Sequence, residues 1–263
     1  MDAPATTLSQ DSGAIYEQHP VSRTLVLHLL PGALMLVFFV AVAPLVVRGL
    51  GFPPAMTVYL AFVFVGIPFE LVYLIYQARK MGTSLGNIVL CRQPLPRGQF
   101  VALVVALFVW GIIIFPLVYP VDLFIKENLF PWVPWWVDIT YGLTGEFARF
   151  SATSLLITWV LGFIVNGVAG PVVEEMYFRG YLLPRISRFG AWAPLINTTL
   201  FSLYHFFNPF SLINRIFQFL PVVYVAWWKR SIYVSMVVHV LGNVAALVVT
   251  LLLILGIFGS GSS

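Results

Sequence analysis

Three short clusters in the C-terminal half of the chain carry side chains that could do chemistry. The first is the run from Pro171 to Gly180, with Glu174, Glu175 and Arg179 inside it. Successive residues of a helix point about 100° apart, so Glu174 and Glu175 cannot share one role. Glu175 and Arg179 stand four apart and can form an ion pair. Glu174 is left without a local partner, free to act as a general base on water. The second cluster is Asn197, Phe201 and His205, which fall on one face of a helix. The third is His239 and Asn243, again four apart. Both can donate hydrogen bonds to a developing oxyanion, His239 in the right tautomer.

The elements that position these residues follow from composition. The chain has 263 residues, of which 60% are hydrophobic and 9% charged. A soluble domain carries roughly 25% charged residues, so a water-facing surface cannot be built here and the bilayer is the solvent. The net charge of +4 is loop charge, with no basic run long enough to track phosphates, which excludes a nucleic-acid partner. The single Cys91 excludes an internal disulfide.

Continuous rather than alternating apolar runs predict helices, not barrel strands. The candidate spans are Leu25–Val47, Met56–Tyr76, Phe100–Val118, Ser151–Val168, Phe201–Phe207 with its flanks, Leu212–Trp228 and Ile232–Phe258. Pro171 suits the first turn of a new helix after a Gly167/Gly170 break. That would make Gly170–Arg188 a separate span and require an extra crossing, which the weakly apolar Leu129–Leu143 could supply or, lying flat at the interface, not supply. The expected fold is all-α: a polytopic transmembrane helix bundle of seven to nine helical segments with a buried polar cavity. Residues 1–24 read as a polar tail and 25–258 as one transmembrane domain, with the motif-bearing core at 171–243. Gly259–Ser263 reads as a flexible tail or cloning remnant.

Charge asymmetry gives the orientation. Arg79, Lys80, Arg92 and Arg97 form one basic group, Arg185 and Arg188 a second, and Lys229 and Arg230 a third. The positive-inside rule places all three in the cytoplasm. Asp122, Glu127, Asp138 and Glu146, with Lys126 and Arg149, read as an external loop. Trp132, Trp135, Trp136 and Tyr141 read as its interfacial aromatic belt. With a hairpin at Arg185–Trp192, Glu174 and His205 each lie roughly 20–25 Å along their helices from the same turn, and His239 about 15 Å beyond Lys229/Arg230. The three polar faces can meet at similar depth.

Glu174-Glu175-x-x-x-Arg179, Phe201-x-x-x-His205 and His239-x-x-x-Asn243 resemble, in order, spacing and membrane setting, the three motifs of the CPBP family. This is the CaaX-protease and bacteriocin-processing group, also called Abi or type II CaaX prenyl endopeptidases. The resemblance covers about Pro171–Asn243. It implies an intramembrane endopeptidase in which Glu174 activates water and His205 helps to hold it. His239 and Asn243 would stabilise the oxyanion, and Glu175 and Arg179 would brace the site. It implies a membrane-associated or lipidated protein or peptide as substrate, and a multi-pass protein of the plasma or inner membrane. One Glu with two His superficially fits a zinc triad, but no HExxH spacing exists and the histidines lie on separate helices, so the expected cofactor is none, with zinc the alternative.

Each cluster alone has a plainer reading. Glu175/Arg179 could be a structural pair, His205 a packed histidine, and His239/Asn243 helix–helix glue. Glu70 reads as a snorkelling or paired acid near Arg79/Lys80. Two other functions fit the same clusters: a non-catalytic membrane adaptor or immunity protein that keeps the fold, and a proton-coupled transporter. The transporter would want paired broken helices in matching halves, and the sequence shows no such symmetry.

Overall fold

A computed structural model describes residues 8–11, 14–139 and 146–256. A short antiparallel hairpin, β1 (Leu8–Asp11) and β2 (Ala14–Glu17), precedes an otherwise helical chain. Among the described residues six helices are long and apolar enough to cross a membrane. They are α1 (Val21–Gly49), α2 (Pro54–Lys80), α3 (Arg97–Leu129), α4 (Ala152–Leu182), α6 (Pro209–Lys229) and α7 (Ile232–Ile254). Between α4 and α6 lies α5 (Trp192–Tyr204), whose 13 residues span about 20 Å and cannot cross a ~30 Å hydrocarbon core. Side chains such as Val37, Phe64 and Leu117 are exposed on the outside of the bundle, as lipid contact requires. The protein is an all-α polytopic bundle.

The basic groups gather at one end. The amide of His19, just before α1, donates to Arg185 O, and that of Leu90 donates to Gly180 O near the end of α4. The Gln93 amide donates to Arg230 O, and the Ile232 amide to Cys91 O. The Tyr224 hydroxyl, on α6, reaches Ala191 O at the start of α5. The positive-inside rule predicts that this end faces the cytoplasm. α1, α3, α5 and α7 run away from it, and α2, α4 and α6 return to it.

Four expectations change. Phe201–Phe207 with its flanks is not a crossing but the end of the short α5 and the turn after it. The Gly167/Gly170 break does not occur: α4 runs unbroken from Ala152 to Leu182, through π-helical turns at Phe163–Ala169 and Glu175–Leu182. Each π turn sits just before a proline, Pro171 and Pro184, as the one at Phe62–Gly66 sits before Pro68. A proline ring clashes with the carbonyl four residues back, and the wider turn relieves this without ending the helix. No extra crossing is therefore needed, and the described part of Leu129–Leu143 holds only a single 3₁₀ turn at Trp135–Val137. Asp122 and Glu127 belong to α3 rather than to an external loop, and Asp122 is buried, accepting from Asn214 Nδ2 at 3.0 Å. Tyr141, Phe258 and the Gly259–Ser263 tail lie outside the described residues.

α1 and α5 meet backbone to backbone at Gly32, beside the end of α5 that precedes His205. A Cβ at Gly32 of α1 would come within 1.9 Å of the Tyr204 carbonyl oxygen at the end of α5. A backbone atom cannot swing aside as a side chain can. Gly32→Ala is therefore expected to cost about 1–3 kcal/mol by overpacking. It should also lower activity, because His205 follows Tyr204 directly. A wild-type thermal midpoint in detergent for Gly32→Ala would show that the two helices are not so close.

Candidate active site

α4 contributes the acidic cluster. Glu174, Glu175 and Arg179 are all buried, the last two completely. Arg179 Nη1 lies 3.6 Å from Glu175 Oε1, so the four-residue spacing forms the expected pair. The π turn helps: each residue advances by less than the ~100° of an α-helix, so positions four apart stand more nearly above one another. Above the pair lies Phe201 of α5, whose ring centroid is 3.9 Å from the guanidinium carbon of Arg179. The first two motifs thus meet through a cation–π contact.

α7 brings the third motif to the same place. His239 Nδ1 lies 3.1 Å from Glu175 Oε1, and its Nε2 lies 3.8 Å from Glu174 Oε2. Glu174 therefore does have a partner, supplied by a distant helix rather than its own. The 3.8 Å separation is too long for a hydrogen bond, but both atoms can share a water placed to one side, about 2.8 Å from each. Glu174 Oε1 has no hydrogen-bond partner among the described residues. Glu175 accepts from Nδ1, so the neutral ring is bare at Nε2, and His239 can donate to an oxyanion only when it carries both protons.

Asn243 stands one turn, about 6 Å, beyond His239. Its Nδ2 donates to Asn166 O at 2.7 Å, inside the first π turn of α4. One of its two N–H groups is therefore committed to the backbone. His205 lies just past the end of α5 rather than on its regular face, since the helix stops at Tyr204. Its Nδ1 meets Phe201 O at 2.8 Å, and its ring packs edge-on to Phe201 and Tyr204. A ring that donates from Nδ1 leaves Nε2 as an acceptor for a polarised water. Asn197 points away from this centre. It donates to Phe178 O and to His28 Nε2 on α1, so it fastens α5 to two neighbours.

The chemistry-bearing motifs do not include Glu70 and Arg215. Glu70, on α2, is not near Arg79/Lys80 at the membrane surface but 1% exposed in the core. It accepts from the Tyr204 hydroxyl at 3.2 Å, and its charge interacts with those of Glu174 and Arg179. It thereby holds the end of α5 from which His205 projects. Arg215, on α6, donates to Ser202 O at 3.1 Å and interacts electrostatically with Glu174 and His205. An ionisable residue inside an apolar span was the available signal for both.

Among the described residues no three His, Cys, Asp or Glu side chains are grouped to hold an ion. A catalytic zinc needs three such ligands.

α4, α5 and α7 thus bring Glu174, Glu175, Arg179, Phe201 and His239 together in the interior of a polytopic helix bundle. The family model described as Type II CAAX prenyl endopeptidase Rce1-like matches residues 156–245, which hold all three motifs. The match supports a place for this motif-bearing part of the chain in the CPBP group of CaaX-type proteases, and with six helices able to cross a membrane the chain is a multi-pass integral membrane protein. No curated protein and no solved structure matches it significantly.

Proposed function

We propose that this protein is an intramembrane endopeptidase that cleaves a peptide bond of a membrane-associated or lipidated protein or peptide in the cell membrane. The observation that carries the reading is His239, held between Glu174 and Glu175 at the depth where the Arg179–Phe201 contact joins the other two motifs. Glu174 takes a proton from the water it shares with His239 as that water attacks the scissile carbonyl. Nε2 of His205 helps to orient the water. The remaining N–H of Asn243 and the doubly protonated His239 donate to the oxyanion, and Glu175 holds the His239 ring. Arg179 braces Glu175. No step passes through a metal ion.

The test is cleavage of a fluorogenic lipidated peptide by the purified protein in liposomes. Cleavage is expected to survive a membrane-permeant chelator, and active protein is expected to hold well under one zinc per chain, by elemental analysis. Stoichiometric metal that is lost together with activity, and restores it on return, would overturn the metal-free chemistry. A protein that binds the peptide without cutting it would be an adaptor.

A further inference from the structure

Arg215 is an anomaly in the bundle. It lies six residues into α6, in a region where a charge costs on the order of 2.5–3.5 kcal/mol even on the mild insertion scale. Arg179, the fully buried arginine of the centre, has a carboxylate at 3.6 Å and an aromatic ring over its face. Arg215 has no carboxylate within ion-pair distance among the described residues. Asp122, the acid on α3 that interacts with it, is instead hydrogen-bonded to Asn214. The one hydrogen bond of Arg215 runs to a main-chain oxygen, Ser202 O, and the residue is only half-buried.

Its place is informative. Arg215 stands one helical turn before Phe219, whose ring centroid lies 4.7 Å from that of His239 and 5.6 Å from the Arg179 guanidinium carbon, so it lies on the face of α6 turned toward the centre. It makes no ion pair with Glu174, which leaves room between base and guanidinium for a reacting carbonyl. Water lies about 3 Å from its base, the carbonyl carbon about 3 Å further, and a donor about 3 Å from the oxyanion. The residues already assigned to the oxyanion are also poorly supplied with protons. One N–H of Asn243 is spent on Asn166 O, and His239 has only its single Nε2–H to give, and that only when its ring carries both protons. A guanidinium always carries its protons.

Resting on the peptidase reading, we infer that Arg215 is a further catalytic residue, whose guanidinium donates to the oxyanion of the tetrahedral intermediate. The balance is complete. The water oxygen forms a bond to the carbonyl carbon, its proton goes to Glu174, and the carbonyl π pair moves onto oxygen. Glu174 becomes neutral as the oxyanion appears, so one negative charge moves from Glu174 toward Arg215 and the net charge of the centre is unchanged. The Ser202 carbonyl fixes the guanidinium before the charge develops, so little reorganisation is needed.

The experiment uses the full chain in liposomes with the same fluorogenic peptide. Arg215→Gln is expected to lower kcat by about 10²–10³-fold while KM moves little, because the interaction is made only in the transition state. Arg215→Lys should fall between the two. Arg215→Ala should regain part of its activity when guanidinium ion is added, a rescue that a merely structural role would not show. Thermal midpoints report whether each variant is folded. Should wild-type protein cleave while folded Arg215→Gln keeps its kcat, or loses it only through KM, the inference falls and the peptidase reading stands. A folded Arg215→Ala that guanidinium leaves inactive also overturns it. Absence of cleavage by the wild type overturns both.

Discussion

Glu174→Gln is expected to lower kcat for peptide cleavage by about 10²–10⁴-fold, the range for loss of a positioned general base. The amide keeps the size and one acceptor oxygen of the carboxylate but cannot take a proton from water. Stability should change little. Glu174 Oε1 has no hydrogen-bond partner among the described residues, and Oε2 stands 3.8 Å from His239, so no short contact is broken. Removing a buried carboxylate without removing a hydrogen bond has no obvious folding cost. The measurement is kcat in liposomes beside a thermal midpoint in detergent. Near-wild-type turnover would remove Glu174 from the chemistry. Loss of turnover together with a large fall in midpoint would make it a structural residue instead.

What could be read from the sequence, and what could not, divides by the range of the interaction. A charged fraction of 9% fixes the solvent, because no packing arrangement can hide that much apolar surface from water. The Glu175–Arg179 pair is local, set by four-residue spacing, and the structure forms it. The partner of Glu174 was not legible, since it depends on α7 crossing α4 at one height, and nothing near Glu174 in sequence encodes that. Glu70 was misread for the same reason. Its nearest charges in sequence are Arg79 and Lys80, but its partner is Tyr204, 134 positions away. The continuity of α4 was hidden by local rules. Gly167, Gly170 and Pro171 together read as a break, and only the π turn before Pro171 lets the helix pass through. The extra crossing that a break there would require falls away with it.

Arg179→Ala is expected to cost about 3–5 kcal/mol, the usual penalty for leaving the other half of a buried pair uncompensated. Arg179 is completely buried, and none of its three guanidinium nitrogens has a hydrogen bond among the described residues. What holds it is the charge of Glu175 at 3.6 Å and the Phe201 ring at 3.9 Å. Truncation removes both and leaves Glu175 without its ion-pair partner, with His239 Nδ1 still at 3.1 Å. The Phe201 ring also loses its floor, and Phe201 O is the acceptor that sets the His205 ring. Activity should therefore fall with stability. The double change Glu175→Gln with Arg179→Met removes both charges while keeping most of the volume, so it should regain a measurable part of the lost thermal midpoint. It should not regain activity, because glutamine is a weaker acceptor than a carboxylate for His239 Nδ1. Thermal midpoints of wild type, Glu175→Gln, Arg179→Met and the double variant form the cycle that measures the pair. If the double variant is no more stable than Arg179→Ala, the charge of Glu175 is not what Arg179 compensates, and the bracing role passes to the Phe201 contact alone.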